Sequence, residues 1–444
     1  MSDSDGVKEP FMEMFQEKLE RVMDPVADFV GREKHIIAIR DTMIAVIPFT
    51  VIGGIALLLA CPPVTDEMLA GGNVFYDFMA LWSTWATANA SILMTPYDLT
   101  LGCLSLYVAF GIGYYLAKSY GKNGLLYGLS CLVCFFAASG AIDLSTSTIP
   151  VAVLGSKSVF GAMVNSIIVV EISRVFEDKN VTIHLPEQVP SNIAAPFNVI
   201  ISSAFCIFLL TIVNSLVTSA SGASLTMLVY TALIPLINVS NTIGGVLLLA
   251  FLVQLFWFFG IHASVVLSIA QPIMLANIAS NAEAYAAGQP IPFVFADGVT
   301  GAFGICIANL AIVILMCVVC RSAQVKSIGR LSIVPLLFEI TEPFVFGTPV
   351  ILNPYFFIPF VIVPDINLLV YCLLANVGAI GKIFVELPWT TPAPIWAWLS
   401  IGSIAGLVFF VVMFIVDLFI DMPFICAYDK KMLAEENEGV VENA

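Results

Sequence analysis

Apolar runs close to the ~20 residues needed to cross a bilayer recur along most of this chain, and no other feature constrains its fold as strongly. Of its 444 residues, 59% are hydrophobic and 11% charged, and the mean hydropathy is +0.99. A soluble domain carries about 25% charged residues, so this chain lacks the charge to cover a water-facing surface. The fold class that follows is an all-α polytopic membrane protein. A transmembrane barrel would show alternating segments of about 10 residues, and the sequence has none.

Lysine and arginine bias in the loops sets orientation. Lys18, Arg21, Arg32, Lys34 and Arg40 precede the first span, which predicts a cytoplasmic N-terminus. Spans are expected at 41–61, 101–117, 124–142, 159–175, 195–217, 243–261, 264–282, 298–320, 364–381 and 396–420. Ten crossings satisfy every charged loop and return the chain to Asp429, Lys430 and Lys431 on the cytoplasmic side. No lysine or arginine lies between Lys179 and Arg321, so spans there rest on length alone. Residues 74–89, with Trp82 and Trp85, read as an interfacial piece on the outside. The first apolar span starts near residue 41 after a charged amphipathic segment, so no cleavable signal peptide is expected.

The polar stretch EDKNVTIHLPEQVPSN, residues 177–192, is a natural midpoint. It separates an N-terminal transmembrane half, 41–220, from a C-terminal half, 221–425. Outside them lie a cytoplasmic N-terminal segment, 1–40, and an acidic cytoplasmic tail, 426–444. The formal net charge is −15, with many acids near the ends, including Asp3, Asp5, Glu9, Glu435, Glu436, Glu438 and Glu442. These read as solvated tails rather than a partner site, and nothing is basic enough for nucleic acid. The ten cysteines fall mostly in apolar spans. The pairs Cys131/Cys134 and Cys317/Cys320 have CxxC spacing but no neighbouring histidine or further cysteine, so they read as small apolar filler; no metal site is expected.

Two regions break the pattern. Residues 335–364 are long enough to cross but contain six prolines; within them, in LLFEITEPFVFGTPVILNP, residues 336–354, Glu339 and Glu342 sit in an apolar run that Pro343, Pro349 and Pro354 keep from being a regular helix. ELPWTTPAP, residues 386–394, is a second proline-broken stretch. Irregular backbone at membrane depth is tolerated only where protein buries it or it lines a wet cavity. Such discontinuous elements form the substrate sites of many transporters. Two re-entrant elements in the C-terminal half are therefore expected, with Glu339 and Glu342 facing a polar cavity.

An isolated charge at membrane depth costs about 2.5–3.5 kcal/mol on insertion scales, so Glu342, beside Pro343, is a candidate ligand group. The competing reading is a cap on a broken helix, and for Glu339 the two readings stand level. His262, in QLFWFFGIHASVV at residues 254–266, is the one histidine in an embedded run; His35 and His184 read as solvated loop residues. A lone buried histidine is often only a satisfied core group, but paired with a carboxylate it suits a sugar hydroxyl, since the neutral ring both donates and accepts. Trp389, followed by Thr390 and Thr391, is either an interfacial anchor or a flat apolar face for a pyranose ring.

FEITEPFVFGTPVILNP resembles the broken-loop signature of the membrane subunit, enzyme IIC, of the lactose/cellobiose/chitobiose branch of the bacterial sugar phosphotransferase system. That branch shows Asn-Glu-Pro at the position of Thr341-Glu342-Pro343, then the apolar run kept here as Phe346 to Pro354. WFFGIH resembles its histidine-bearing element, and LPWTTPAP its Pro-Trp-Thr-Thr-Pro loop. LPEQVPSNIAAPF and KHIIAIRDTMIAVIPFTVIGG resemble further family segments, so the likeness covers roughly residues 10–425.

The resemblance implies a homodimer in the bacterial cell membrane, with the N-terminal half forming the interface and the C-terminal half binding substrate. It places Glu342 and His262 at the sugar's 6-hydroxyl as catalytic and substrate-binding residues. Gly260, Asn353, Trp389 and Thr390 join them around the sugar. The substrate would be a β-linked disaccharide, and the phosphoryl donor a phosphocysteine on a separate IIB protein, fed by IIA, HPr and enzyme I. No cofactor is implied. Thr341 in place of asparagine, and Ala263 where glycine is usual, bear on the shape of the sugar pocket. Two other classes of function compete: an ion-coupled secondary transporter with Glu342 as its proton site, and a sugar receptor without flux.

Overall fold

The computed structural model describes residues 32–62, 74–142, 148–186, 188–260, 264–348 and 350–442. Seven helices among them are long and apolar enough to cross a membrane: Lys34–Ala60, Ala90–Ser119, Ser156–Asp178, Ile193–Ser221, Gly301–Val318, Pro354–Asn376 and Ile404–Asn437. An eighth span arises if Leu225–Ser240 and Ile243–Phe258, bent by 74° at their junction, count as one. Gly124–Ser139 is apolar but shorter. Phe208, Leu216 and Phe419 are 70%, 67% and 72% exposed on these helices. Side chains of that size left open along apolar helices face lipid, so this is a multi-pass membrane protein.

Local chemistry sets the helix ends. Asn123, Ser224 and Thr242 each accept a hydrogen bond from the amide three residues on, which uses an otherwise unpaired donor of the first turn. The bend after Ser240 is pinned from outside: Asn241 Oδ1 accepts from the amides of Val294 and Phe295 at 2.7 and 3.0 Å. The helix Leu225–Ser240, with Pro235 inside it, falls outside the expected spans. Its polar flanks hide a hydrophobic segment of only 16 residues.

Three expectations need correction. The broken region narrows, because Pro354 opens the helix running to Asn376, and a wide turn at Phe357–Ile362 absorbs Pro359. Proline at a first helical position wastes no donor. His35 is not a loop residue: it lies, partly buried, in the first turn of Lys34–Ala60, 2.5 Å from Glu33 and 3.1 Å from Glu171, which also takes bonds from Tyr120 and Arg174. The terminal acids are not all free either. The last helix runs from Ile404 to Glu442, and its Asp429 and Glu436 accept bonds from the amides that begin the helix Ala323–Leu337.

The apolar core has three parts. One lies in the N-terminal half around Leu116, Tyr127, Cys131, Cys134 and Val169, which is where the first CxxC pair is spent. A second, in the C-terminal half, gathers Phe258, Met316, Phe344, Phe356 and Phe360. The largest joins the halves through Leu57, Leu104, Phe303, Tyr371 and Phe384. Within the C-terminal half, Asp417 and Asn367 are wholly buried and bonded at 2.7 Å.

Candidate functional site

The first broken stretch turns on two non-glycine residues with left-handed backbone, Glu339 at φ 65° and Leu352 at φ 56°. Such residues persist where surrounding structure fixes them. Between them Glu342–Gly347 forms a single short helix with Pro343 in its first turn. Its Phe344 is fully buried, 6.1 Å from Phe356 and 6.2 Å from Phe360 between ring centres. The Leu352 amide donates to the Phe258 carbonyl at 2.9 Å, and Phe346 meets Trp257 edge-on at 6.5 Å. The WFFG and FG-x-P-x-x-LNP motifs are thus packed as one unit.

The second broken stretch, 386–394, overlaps a longer segment without regular helix, 377–392, whose backbone groups find partners from the sides. Asn281 Nδ2 donates to the Ile383 carbonyl at 2.7 Å, and the Phe384 and Val385 amides donate to the Ser400 carbonyl at 2.9 and 3.1 Å. The Phe384 ring stacks on Tyr285 at 3.7 Å. Protein-supplied bonds of this kind allow irregular backbone at membrane depth. Gly54 lets the first helix approach: a Cβ there would lie 3.1 Å from the Glu386 nitrogen and 3.2 Å from its oxygen.

Where this stretch meets the first helix there is a cavity of about 490 Å³. The first helix contributes Arg40, Ile44 and Ile47, and Ser264–Ala286 contributes Leu267, Gln271 and Met274. Asp297, Gly298 and Thr300 come from the turn before the next span, with Gly301 and Ile305 from its start; Val253, Glu386, Leu387, Trp389 and Trp396 add to the wall. Its size suits a small ligand, for which sites run from about 300 to 1,000 Å³. Trp389 is 60% exposed, so its indole is free to meet a ligand. Arg40 is already bonded to Asp41 at 2.9 Å.

The sequence-derived candidates fall into two groups. Trp389 lines the cavity, and Thr390 follows it half-buried. Gly260 and Asn353 belong to the first broken stretch. Gly260 ends the helix Ile243–Phe258 at φ 77°, against Ile351; Asn353 accepts from the Tyr355 amide at 3.1 Å and so caps the next helix. Glu342 is described in its backbone only, and His262 lies outside the described residues. Glu339 turns toward Cys306, with its Oε1 buried and without a hydrogen-bond partner. Sequence reasoning missed Asp297, Gln271 and Glu386 in the cavity, and the buried Asp417. One signal was available: Asp297 is the only acid between Glu283 and Glu339, and Glu386 the only one between Asp365 and Asp417.

These helices and this cavity define a multi-pass membrane protein with an internal site that is mostly apolar and carries a few polar groups. The chain matches the family model for the phosphotransferase system, EIIC, over residues 40–364. It belongs to that family. It is similar to the oligo-beta-mannoside-specific EIIC component of Bacillus subtilis (strain 168), 30% identical over 96% of this chain and 97% of that one. The lactose-specific EIICB component of Streptococcus mutans serotype c is 31% identical over 94% of this chain and 72% of its own length. Among solved structures, the transporter ChbC, the IIC component from the N,N'-diacetylchitobiose-specific phosphotransferase system, superposes with a TM-score of 0.83 at 30% identity, over 94% of this chain and 99% of that one.

Proposed function

We propose that this protein carries a β-linked disaccharide inward across the bacterial cell membrane and presents its 6-hydroxyl to a phosphorylated IIB partner. The observation that carries the reading is the cavity in which Trp389, on broken backbone, shares a wall with carboxylates and Gln271. An aromatic face with polar groups beside it is the chemistry that grips a pyranose ring. The names of the relatives point the same way, since oligo-β-mannosides, lactose and diacetylchitobiose are all β-linked. The relatives named EIICB join a B component to the C component, which supports a IIB partner for this chain.

In this reading Glu342 and His262 hold the hydroxyl that accepts the phosphoryl group, and Asn353, Gly260 and Thr390 complete the sugar's surroundings. The chain supplies binding and orientation; IIB, recharged through IIA, HPr and enzyme I, supplies the phosphoryl group. Ten crossings result if Gly124–Ser139, the bent pair and Ser264–Ala286 join the seven long spans, with both termini cytoplasmic and the two broken stretches re-entrant. Residues 41–220 form the interface of a homodimer, and residues 221–425 bind substrate.

The test is sugar uptake into vesicles holding the protein, supplied with phosphoenolpyruvate and the soluble partners. Disaccharide 6-phosphate should accumulate inside. Accumulation of unmodified sugar, driven by an ion gradient without those partners, would overturn the reading in favour of secondary transport.

A further inference from the structure

Two walls of the cavity are tied together behind it by one asparagine. Asn281 is wholly buried on the helix Ser264–Ala286. Its Nδ2 donates to the Phe293 carbonyl at 2.8 Å and to the Ile383 carbonyl at 2.7 Å, and its Oδ1 accepts from the Phe293 amide at 2.9 Å. A carboxamide has two donor hydrogens, and both are used. Phe293 leads into the turn of Asp297, Gly298 and Thr300, while Ile383 leads into Glu386, Leu387 and Trp389. The same helix face repeats the device. Asn277 Nδ2 donates to the Phe295 carbonyl at 2.6 Å, and the Met274 carbonyl accepts from the Asp297 amide at 3.3 Å. Residues 274, 277 and 281 keep the three- and four-residue spacing of one helix face. Nearer the partly exposed edge, Lys382 reaches the Ile291 and Pro292 carbonyls at 3.0 and 3.1 Å and ties the same two segments a second time.

We infer that Asn281 is a positioning residue for sugar binding, which sets the Trp389 wall of the cavity at a fixed place relative to the Asp297 turn. The inference rests on the sugar-binding reading above and deepens it. Asn281 does not line the cavity, so it acts through the residues it holds. Neither of the segments it joins is a regular helix, so neither has a ladder of its own bonds to keep its shape. A binding group must be held within about 0.5 Å of its productive place, and buried hydrogen bonds behind it are what hold it there. Without Asn281 the Phe293 and Ile383 carbonyls would be left in the core short of a donor, and the chain would shift to find others. The shift would pass along the chain from Ile383 to Glu386 and Trp389. An asparagine with only a folding role would lower stability and leave the place of Trp389 as it is.

The experiment is a double-mutant cycle on equilibrium binding to the purified full-length protein in lipid nanodiscs. The probe is whichever of cellobiose, lactose and N,N'-diacetylchitobiose wild type binds most tightly. Asn281→Leu nearly keeps the side chain's shape and removes both donors. Alone it should weaken binding about tenfold, but only about threefold or less when added to Trp389→Ala, because residues that act through one group couple. The Trp389 share of the indole emission, taken as the difference between chains with and without Trp389→Phe, should also shift in Asn281→Leu before sugar is added. Should Asn281→Leu fail to fold, Asn281→Ser, which keeps one hydroxyl donor, goes through the same cycle and the same emission measurement. Strictly additive losses, or a Trp389 emission unchanged from wild type, overturn the inference while the transport reading stands. A well-folded wild type that binds none of the three sugars overturns the transport reading itself, and this inference with it.

Discussion

The Leu352 amide donates to the Phe258 carbonyl across 2.9 Å, joining residues far apart in sequence at the break of two membrane elements. This bond occupies one of the carbonyls that the end of Ile243–Phe258 leaves unpaired. It also fixes Leu352 in its left-handed conformation, from which Asn353 caps the following helix. The short helix opened by Glu342 is therefore mounted on a rigid frame, with Phe344 buried beneath it.

That frame gives Glu342→Gln a definite expectation. The fold around it is held by backbone bonds and aromatic packing, so the variant should express and run as wild type on size exclusion. Losing a charge-assisted hydrogen bond of about 1.5–3 kcal/mol should weaken sugar binding tenfold or more and abolish phosphorylation-coupled uptake. Normal uptake by a well-expressed variant would show that the carboxylate has no part in the reaction.

Trp389 should behave as a platform rather than an anchor. With its indole 60% exposed on the cavity wall, Trp389→Phe keeps an aromatic face and Trp389→Ala removes it. Stacking of this kind contributes about 0.5–1.5 kcal/mol beyond area burial. Binding should therefore fall in the order wild type, phenylalanine, alanine, measured by calorimetry with one β-disaccharide. Equal affinities for the two variants would place the indole away from the sugar.

Much of this architecture is legible in the amino-acid sequence. Span length and loop charge yield the helical membrane class, and the prolines at 343 and 349 mark the first break. What the chain hides is tertiary. Pro354 looks like a breaker in sequence but is harmless at a first helical position, so the break ends sooner than its prolines suggest. His35 looks like a loop residue until Glu171, from a distant helix, arrives beside it. Asp297 and Glu386 are single acids in separate segments, and only folding makes them neighbours in one cavity.

The junction between the last helix and the start of Ala323–Leu337 depends on Asp429. It is 6% exposed and accepts from the amides of Arg321, at 2.9 Å, and Ser322, at 2.8 Å, where a new helix begins. Removing a helix-capping carboxylate costs about 0.5–2 kcal/mol, and more when buried donors lose their partner. Asp429→Ala should lower the apparent unfolding temperature in detergent, and Asp429→Asn should do so by less, since one acceptor oxygen remains. No shift in either would mean that Glu436, which bonds Ser322, Ala323 and Gln324, holds this junction alone.

The last expectation concerns Gly54, where the first helix touches the backbone of Glu386. A methyl group there would sit 3.1 Å from the Glu386 nitrogen and 3.2 Å from its oxygen, so the second broken stretch must give by a few tenths of an ångström. That stretch is tethered on its other side by Asn281, Tyr285 and Ser400, which resist the shift. Gly54→Ala should therefore displace Glu386 and Trp389 slightly and weaken sugar binding several-fold. Gly54→Val, with two further carbons at the same contact and an overpacking cost of about 1–3 kcal/mol, should weaken it much more or lower stability. Graded loss along the series glycine, alanine, valine in one binding assay supports a cavity whose wall is set by this contact. Wild-type binding by the valine variant would show that the second broken stretch is free to move away from the first helix without harm to the site.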